Sequence, residues 1–465
     1  MDYYLAIDIG ASSGRHILGC NDNGKIKLEE IYRFKNGISK KGSEYCWNIE
    51  GLFENIKAGI KKCKEMNKIP KSIAIDTWAV DFVLLDKDDK ILGDAVAYRD
   101  DRTEGIIEEA FKVIPKDMMY LYTGIQFQRF NTLYQLMAVK KNNPEYLEKA
   151  KTFLMVPDYL NFLLTGQKAN EYTNASTTQM VNSFDKTWDE KILKSFDIPT
   201  EIFQDIKLPK TSLGNLRPEL VEEFGFDMEV VLPATHDTGS AFISSVCSDD
   251  ESIFLSSGTW SLIGVENRFP ICVPQSMQYN FTNEGGIDYR FRFLKNIMGM
   301  WVIQEVARNF DYKYSFGELV NLAKENMDFD SVVDVDDDRF LKPENMILEI
   351  QKYCFETEQR VPKTAGEIAI CVYNSLAHSY KKAVGELEEI FEKKFKRINI
   401  FGGGCQNNLL NEIVAKVTGK EVLAGPIEAT AIGNLAAQMI KGGEYKDLAD
   451  ARKAIKDSFD IKTFN

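Results

Sequence analysis

The sequence predicts an α/β protein of two related domains, and three observations carry that reading. A chain of 465 residues, 44% of them hydrophobic, is long enough for two sizeable cores. Short apolar runs that end at turn residues alternate with segments whose apolar positions recur at helical spacing. One strand–turn–strand motif occurs twice, at the start of the chain and just past its midpoint.

The first copy lies in LAIDIGASSGR (5–15). Leu5-Ala6-Ile7 reaches a single carboxylate, Asp8. The chain then turns through Gly10, Ala11, Ser12, Ser13, Gly14 and Arg15 before Ile17 and Leu18 resume the apolar pattern. Two readings fit. One is a Gly-Ser hairpin turn. The other is a cradle whose amides and hydroxyls hold anionic oxygens, with Asp8 beside a hydrated metal ion.

Residues 48–66 place Ile49, Leu52, Phe53, Ile56, Ile60 and Cys63 at helical spacing. Ser72 to Asp76 is an apolar strand that also ends in a carboxylate. Val80 to Leu85 reads as the next strand and Asp86 to Asp89 as the turn after it. Residues 131–141 and 156–164 read as helices. The polar, turn-rich stretch 170–190 reads as a surface excursion of the first domain. Val230 to Pro233 is a short strand that delivers Thr235-His236-Asp237-Thr238. The polar stretch Cys247 to Ser252 places the boundary near residue 245, giving domains 1–245 and 246–465.

The second copy is IFLSSGTWSLIG (253–264), with Ser256-Ser257-Gly258 and Thr259 at its turn. Ile398 to Phe401 is a strand that feeds Gly402-Gly403-Gly404, and a helix follows from Leu409 to Val417. Three consecutive glycines are costly in conformational entropy. They suit close approach to something flat or anionic at a helix N-terminus, a plain strand-to-helix turn being the other reading. The helix after Gly425-Pro426 is lined by Ala429, Ala431, Gly433, Ala436 and Ala437, which reads as tight helix–sheet packing.

Charge excludes several classes. The formal net charge is −13 and no basic tract is present, which argues against nucleic acid or an anionic membrane as partner. The opening MDYYLAIDIG lacks the basic flank and apolar core of a signal peptide, and no apolar run would span a bilayer, so a cytoplasmic protein is expected. The eight cysteines are dispersed without a C-x-x-C pair and read as buried small hydrophobes. Cys354 and Cys371 fall in neighbouring elements and could pair on oxidation. Three histidines, His16, His236 and His378, are too few and too spread for a His-rich metal site. Neither a Walker G-x-x-x-x-G-K-[ST] loop nor the H-R-D and D-F-G set of protein kinases occurs.

Two hairpins with Ser-Ser-Gly turns, a triple glycine and several strand-end carboxylates match the actin, Hsp70 and sugar-kinase plan. That plan is two ribonuclease H-like domains with an interdomain cleft. The whole chain resembles the FGGY family of carbohydrate kinases, and within it the rhamnulokinases. The resemblance is carried by LAIDIGASSGRHILG at the start, IDTWAVDFVLLD (75–86), YRDDRT (98–103) and GIQFQRFNTLYQL (124–136). It continues in PATHDTGSAF (233–242), FLSSGTWSLIG (254–264), LKNIMGMWVIQE (294–305) and NIFGGGCQNNLLNE (399–412). One departure is Ala79, where the family usually carries Gly.

The resemblance implies ATP and Mg²⁺ as cofactors, a small sugar as second substrate, and a role for each matching residue. Ala11, Ser12, Ser13, Gly14 and Arg15 would cradle the ATP phosphates, with Asp8 holding Mg²⁺ through water. Thr259, Gln304 and Gly402 would meet the nucleotide. The sugar would lie against Ala79, His236, Asp237, Thr238 and Asn296. Phosphoryl transfer is mostly positioning and charge neutralisation, and an alcohol needs a base to take its proton. The residues alone leave Asp237 open between that base and the N-cap of a helix starting near Thr238; the resemblance favours the base. The implied reaction is ATP-dependent phosphorylation of the C1 hydroxyl of a deoxy-ketohexose, L-rhamnulose first. L-fuculose or another ketose is the alternative, and an actin- or Hsp70-like ATPase is the reading from another class.

Overall fold

The opening apolar run forms β1 (Tyr3–Ile9), a central strand, in a computed structural model that describes residues 1–465. Leu5, Ala6, Ile7 and Ile9 are all fully buried, so the strand is apolar on both faces rather than alternating. It returns as β2 (Ser13–Asp22), and β3 (Lys25–Lys35) pairs with β2 on the outside. That edge strand is exposed or half-buried except at Ile26 and Phe34 and carries lysines at both ends, which discourages pairing with other chains. On the other side of β1 lies β4 (Pro70–Thr77), parallel to it. With β5 (Ser212–Asn215) and β6 (Glu229–Val231) the sheet order is β5-β6-β4-β1-β2-β3.

The helix expected at 48–66 spans Ile49–Glu65. Asn48 starts it by accepting the Gly51 amide, and Leu52, Ile56, Ile60 and Cys63 bury its apolar face in the core with the sheet. Truncating one of these side chains, Ile56→Ala for instance, should cost about 2–5 kcal/mol. The helices expected at 131–141 and 156–164 form over Thr132–Asn142 and Val156–Thr165.

The second half of the chain builds a sheet of the same plan. Its strands are β7 (Ser252–Ser257), β8 (Trp260–Asn267), β9 (Thr282–Gly285), β10 (Phe291–Met298), β11 (Arg397–Phe401), β12 (Glu421–Ala424) and β13 (Lys462–Phe464). Their order is β9-β10-β8-β7-β11-β12-β13. β7 takes the place of β1: it pairs antiparallel with β8 and parallel with β11, as β1 does with β2 and β4. β12 continues in parallel as β6 does, and β13 closes the edge antiparallel as β5 does. The duplicated hairpins are therefore the cores of two topologically equivalent sheets.

By contacts the chain resolves into two compact units that interleave along the sequence. The first comprises Met1–Ser244, Glu266–Phe293 and Thr430–Ser458; the second comprises Ser245–Val265, Leu294–Ala429 and Phe459–Asn465. In the first unit, the helix Ala429–Lys441 lies on the sheet through its residues from Thr430 onward. Gln438 Nε2 donates to Leu5 O at 3.1 Å and Ser72 Oγ donates to Gln438 Oε1 at 2.7 Å. Gly19 faces Leu435 so closely that a Cβ there would lie 2.6 Å from its methyl, and of the helix's small residues Gly433 packs so tightly that a Cβ on it would lie 1.7 Å from Ser240 O. No helix is long and apolar enough to cross a membrane.

One sequence expectation fails in part. Of the stretch 170–190, residues 184–190 lie largely at the surface, but the first part is interior: Asn170, Glu171, Thr173, Asn174, Thr178 and Gln179 are all fully buried. Polar residues enter an interior when they satisfy one another, and Glu171 does so here. Its carboxylate accepts the amides of Thr173 and Thr235 and the hydroxyls of both, at 2.5–3.0 Å. Cys354 and Cys371 are buried free thiols.

Candidate active site

In the first unit, three neighbouring parallel strands, β6, β4 and β1, bring carboxylates to their C-terminal ends, where open α/β sheets bind ligands. Asp8 and Asp76 are register partners across β1 and β4. Thr77 pairs with His236, and its amide donates to Thr235 O at 2.9 Å, so the 235–237 turn joins the same edge. Burial first, and then the charge of Asp8, push the Asp76 carboxyl well above the usual carboxylate range; a 2.5 Å hydrogen bond from Asn434 opposes this. Asp76 completes a trio of strand-end acids with Asp8 and Asp237.

The turn between β1 and β2 is closed by Gly10 N donating to Ser13 O at 2.9 Å. Asn36 braces it from β3's end, its amide donating to Ser12 O at 3.0 Å and its side chain to Gly10 O at 2.8 Å. Ser12 is left exposed at the tip. Ser13, Gly14 and Arg15 already belong to β2, and Arg15 forks onto Asp8 Oδ2 at 2.8 and 3.0 Å. No group of three or more His, Cys, Asp or Glu is disposed to hold a bare metal ion. Mg²⁺ keeps most of its waters and takes its other oxygens from phosphates, so the single carboxylate Asp8 beside this turn would suffice to hold it through water.

The helix after β6 begins at Asp237 and runs to Ile243, with His236 in the N-cap position making no side-chain cap. Asp237 Oδ1 accepts the Thr238 amide at 2.5 Å and the Thr238 hydroxyl at 3.1 Å, both one residue on, so its carboxylate does not cap the second or third helical amide. Its side chain is about one-third exposed (31%) and open to a ligand. Burial raises its carboxyl above the ordinary range; the His236 side chain and the Thr238 hydrogen bonds counter this, and the charge of Asp8 adds to it.

His236 is held by groups the sequence did not single out. Its Nε2 lies 3.4 Å from Asp237 Oδ1. On the far side of the ring, Arg292 Nη2 is 3.1 Å from Nδ1, and Glu284 Oε2 is 3.3 Å from it. Arg292, on β10, is 1% exposed and pairs with Glu284, on β9, at 3.1 Å. Burial disfavours the Glu284 charge, but the Arg292 guanidinium beside it outweighs this and holds the carboxyl below its usual range. The amide of His236 donates to Thr173 Oγ1 at 3.2 Å, which ties the turn to the Glu171 cluster.

Ala79 is partly exposed in a loop whose backbone is strained. Val80 has φ +69°, an outlier for a β-branched residue, and such strain collects at ligand-binding loops. The loop is strapped down by Asp81, which accepts from Trp47 Nε1 at 2.6 Å, Trp78 Nε1 at 2.9 Å and Gln135 Nε2 at 3.0 Å.

In the second unit, Thr259 is exposed at the turn between β7 and β8. Its carbonyl accepts the amides of Gly299 at 3.1 Å and Trp301 at 3.2 Å, where the helix Trp301–Asn309 begins; Gln304 lies one turn along it. Gly402 follows β11, whose partner is β7, so Thr259 and the glycines leave neighbouring strand ends. Gly402 has φ +84°, and a Cβ there would lie 3.1 Å from Ser257 O. A Cβ on Gly404 would lie 2.0 Å from Ser257 Oγ. Asn296 sits in β10, partly buried.

Two equivalent sheets, each ending in polar turns at its parallel-strand ends, define the duplicated ribonuclease H-like class. Solved structures agree. A ligand-bound xylulose kinase from Lactobacillus acidophilus superposes with a TM-score of 0.80 at 16% identity, covering 100% of this chain and 94% of that one. Plasmodium falciparum glycerol kinase with ADP gives 0.81 at 15%, covering 99% and 94%. The model of the FGGY carbohydrate-kinase N-terminal domain matches residues 3–244, and that of the C-terminal domain matches residues 253–442. The chain belongs to the FGGY family of carbohydrate kinases, and is thus an ATP- and Mg²⁺-dependent sugar kinase. Among curated proteins it is 60% identical to a rhamnulokinase of Halalkalibacterium halodurans, over 100% of this chain and 99% of that one. It is 45% identical to a rhamnulokinase of Bacillus subtilis, over 99% and 95%.

Proposed function

We propose that this kinase phosphorylates the C1 hydroxyl of L-rhamnulose. The reading rests on full-length identity of 60% to a protein named rhamnulokinase. Residues 1–245 would carry the acceptor side, with Ala79, His236, Asp237 and Thr238 on the sugar, and would also bring Ala11 to Arg15 to the phosphates and Asp8 to the waters of Mg²⁺. Residues 246–465 would carry the nucleotide side through Thr259, Gln304 and Gly402, with Asn296 reaching the sugar. Bound Mg²⁺ neutralises charge on the transferring phosphoryl group. Asp237 would accept the C1 hydroxyl proton as the new bond forms. Its one-third exposed carboxylate and its pairing with His236 support that role.

The test is an ADP-release assay with ATP, Mg²⁺ and a panel of L-rhamnulose, L-fuculose, xylulose and glycerol. L-rhamnulose should give the highest kcat/KM, and phosphorus–proton coupling in the product should place the ester at C1. A higher kcat/KM for L-fuculose would move the assignment to that sugar. ATP turnover at the same rate without any sugar would replace the kinase reading by an ATPase.

A further inference from the structure

The imidazole of His236 faces a carboxylate on each side, and the Arg292 guanidinium reaches one of its two nitrogens. We propose that Arg292, anchored by Glu284, is a positioning residue that fixes His236 in the tautomer with its proton on Nε2, directed at Asp237. The proposal rests on the reading of Asp237 as the base only for its consequence in catalysis.

A guanidinium has donors and no acceptor. The Arg292 Nη2 hydrogen bond to Nδ1, at 3.1 Å, therefore requires a lone pair on Nδ1. A neutral ring then carries its proton on Nε2, 3.4 Å from Asp237 Oδ1. The opposite tautomer would set the Nε2 lone pair against the Asp237 carboxylate and an Nδ1 proton against an Arg292 proton. Glu284 is a candidate acceptor for that Nδ1 proton at 3.3 Å, yet its Oε2 takes part in no well-directed hydrogen bond. Glu284 acts instead as the counter-charge that allows a guanidinium at 1% exposure. Arg292 is further oriented by its Nε, which donates to Gly285 O at 2.9 Å.

The consequence reaches the reacting atoms through His236. An Nε2 proton on the Asp237 side, in a 3.4 Å contact that is longer than a formed hydrogen bond, favours the ionised carboxylate electrostatically. With the wrong tautomer, the base would face a lone pair and lose that effect.

The chain has only three histidines, so their ring nitrogens can be read individually in ¹⁵N-histidine-labelled enzyme, with His236→Asn as the assignment control. Without substrates at pH 7.5, wild-type His236 should show the neutral Nε2–H form. Arg292→Lys, which keeps a donor-only cation, should keep that form. The double variant Arg292→Met/Glu284→Leu, which leaves no unpaired buried charge, should give mixed tautomers. Its kcat should fall about 10–100-fold at unchanged KM for ATP. An Nδ1–H form or an imidazolium in the wild type would overturn the proposal without any variant having to fold. So would an unmixed Nε2–H signal with wild-type kcat in the double variant. The tautomer is read on resting enzyme, so it is independent of the base assignment. If Asp237→Asn keeps its turnover, the base reading falls and the tautomer result stands.

Discussion

His236 Nε2 stands 3.4 Å from Asp237 Oδ1, with the Asp237 side chain about one-third exposed (31%). This pair supplies a held carboxylate and a polar ring at one strand end. Asp237→Asn keeps an oxygen for the Thr238 amide and hydroxyl, so the melting temperature should be unaltered. Turnover should fall by about 10²–10⁴, with nucleotide affinity unchanged by titration calorimetry. A variant with more than about a tenth of wild-type kcat would end the general-base assignment. In the wild type, the acid limb of kcat/KM should lie above the ordinary Asp range, because burial raises this carboxyl and the base must be ionised to act.

Ala79 adds one methyl to a strained loop. Ala79→Gly should change KM for ketoses by up to the factor that one methyl is worth, roughly 1–3 kcal/mol, and leave KM for ATP in place. Equal changes in both would put Ala79 outside the sugar site.

Gly404→Ala should raise KM for ATP more than KM for sugar, because its Cβ would meet Ser257 Oγ at 2.0 Å beside the Gly402 turn. Ser257→Ala removes that oxygen. The double variant should recover part of the loss, and steady-state kinetics of the three variants measure the coupling.

Asp158 offers a pH test away from the chemistry. Burial first, and then the Glu171 charge, raise its carboxyl well above the usual range. A raised carboxyl favours folding at pH below its unfolded value, and that advantage is lost as pH rises to the folded value. The wild type should therefore lose up to about 1.4 kcal/mol per pH unit from this group in that window. Asp158→Asn should lack that slope. The difference between the two melting curves should grow in favour of the variant as pH rises above the ordinary carboxylate range. A constant offset would show that Asp158 titrates normally.

Much of this was legible in the sequence. An apolar run closing on Ser-Ser-Gly identifies both hairpins, because a buried central strand needs no alternation and its turn needs small residues. The helix at 48–66 and the strand before Gly402 follow from the same local rules. The buried part of the stretch 170–190, up to about residue 183, is not legible because composition cannot tell polar residues that face water from polar residues that bond each other, as Glu171, Thr173 and Thr235 do. Glu284 and Arg292 escaped notice for a related reason. Each is an ordinary charge in a strand, and only folding brings them to a histidine about 50 residues away in sequence. Asp76 was visible as a strand-end carboxylate; its register with Asp8 was not.

The helix of residues 430–441 has a consequence for synthesis. Asn434 bonds Asp76, Gln438 bonds Leu5 and Ser72, and Leu435 fills the space over Gly19, so the first unit is finished by residues made long after its first 244. After Ser244 has been added to the chain, residues 245–429 must be translated before these partners exist. At about 5–20 residues per second that wait is roughly 10–40 s. During it, the apolar floor around Gly19 and the Asp76 carboxyl lack their cover. A ribosome-stalled chain ending at residue 400 should stay protease-sensitive in its first 244 residues, whereas one extended past residue 458 by a linker long enough to clear the exit tunnel should become resistant there. Folding of the first unit thus waits on the synthesis of residues 430–458.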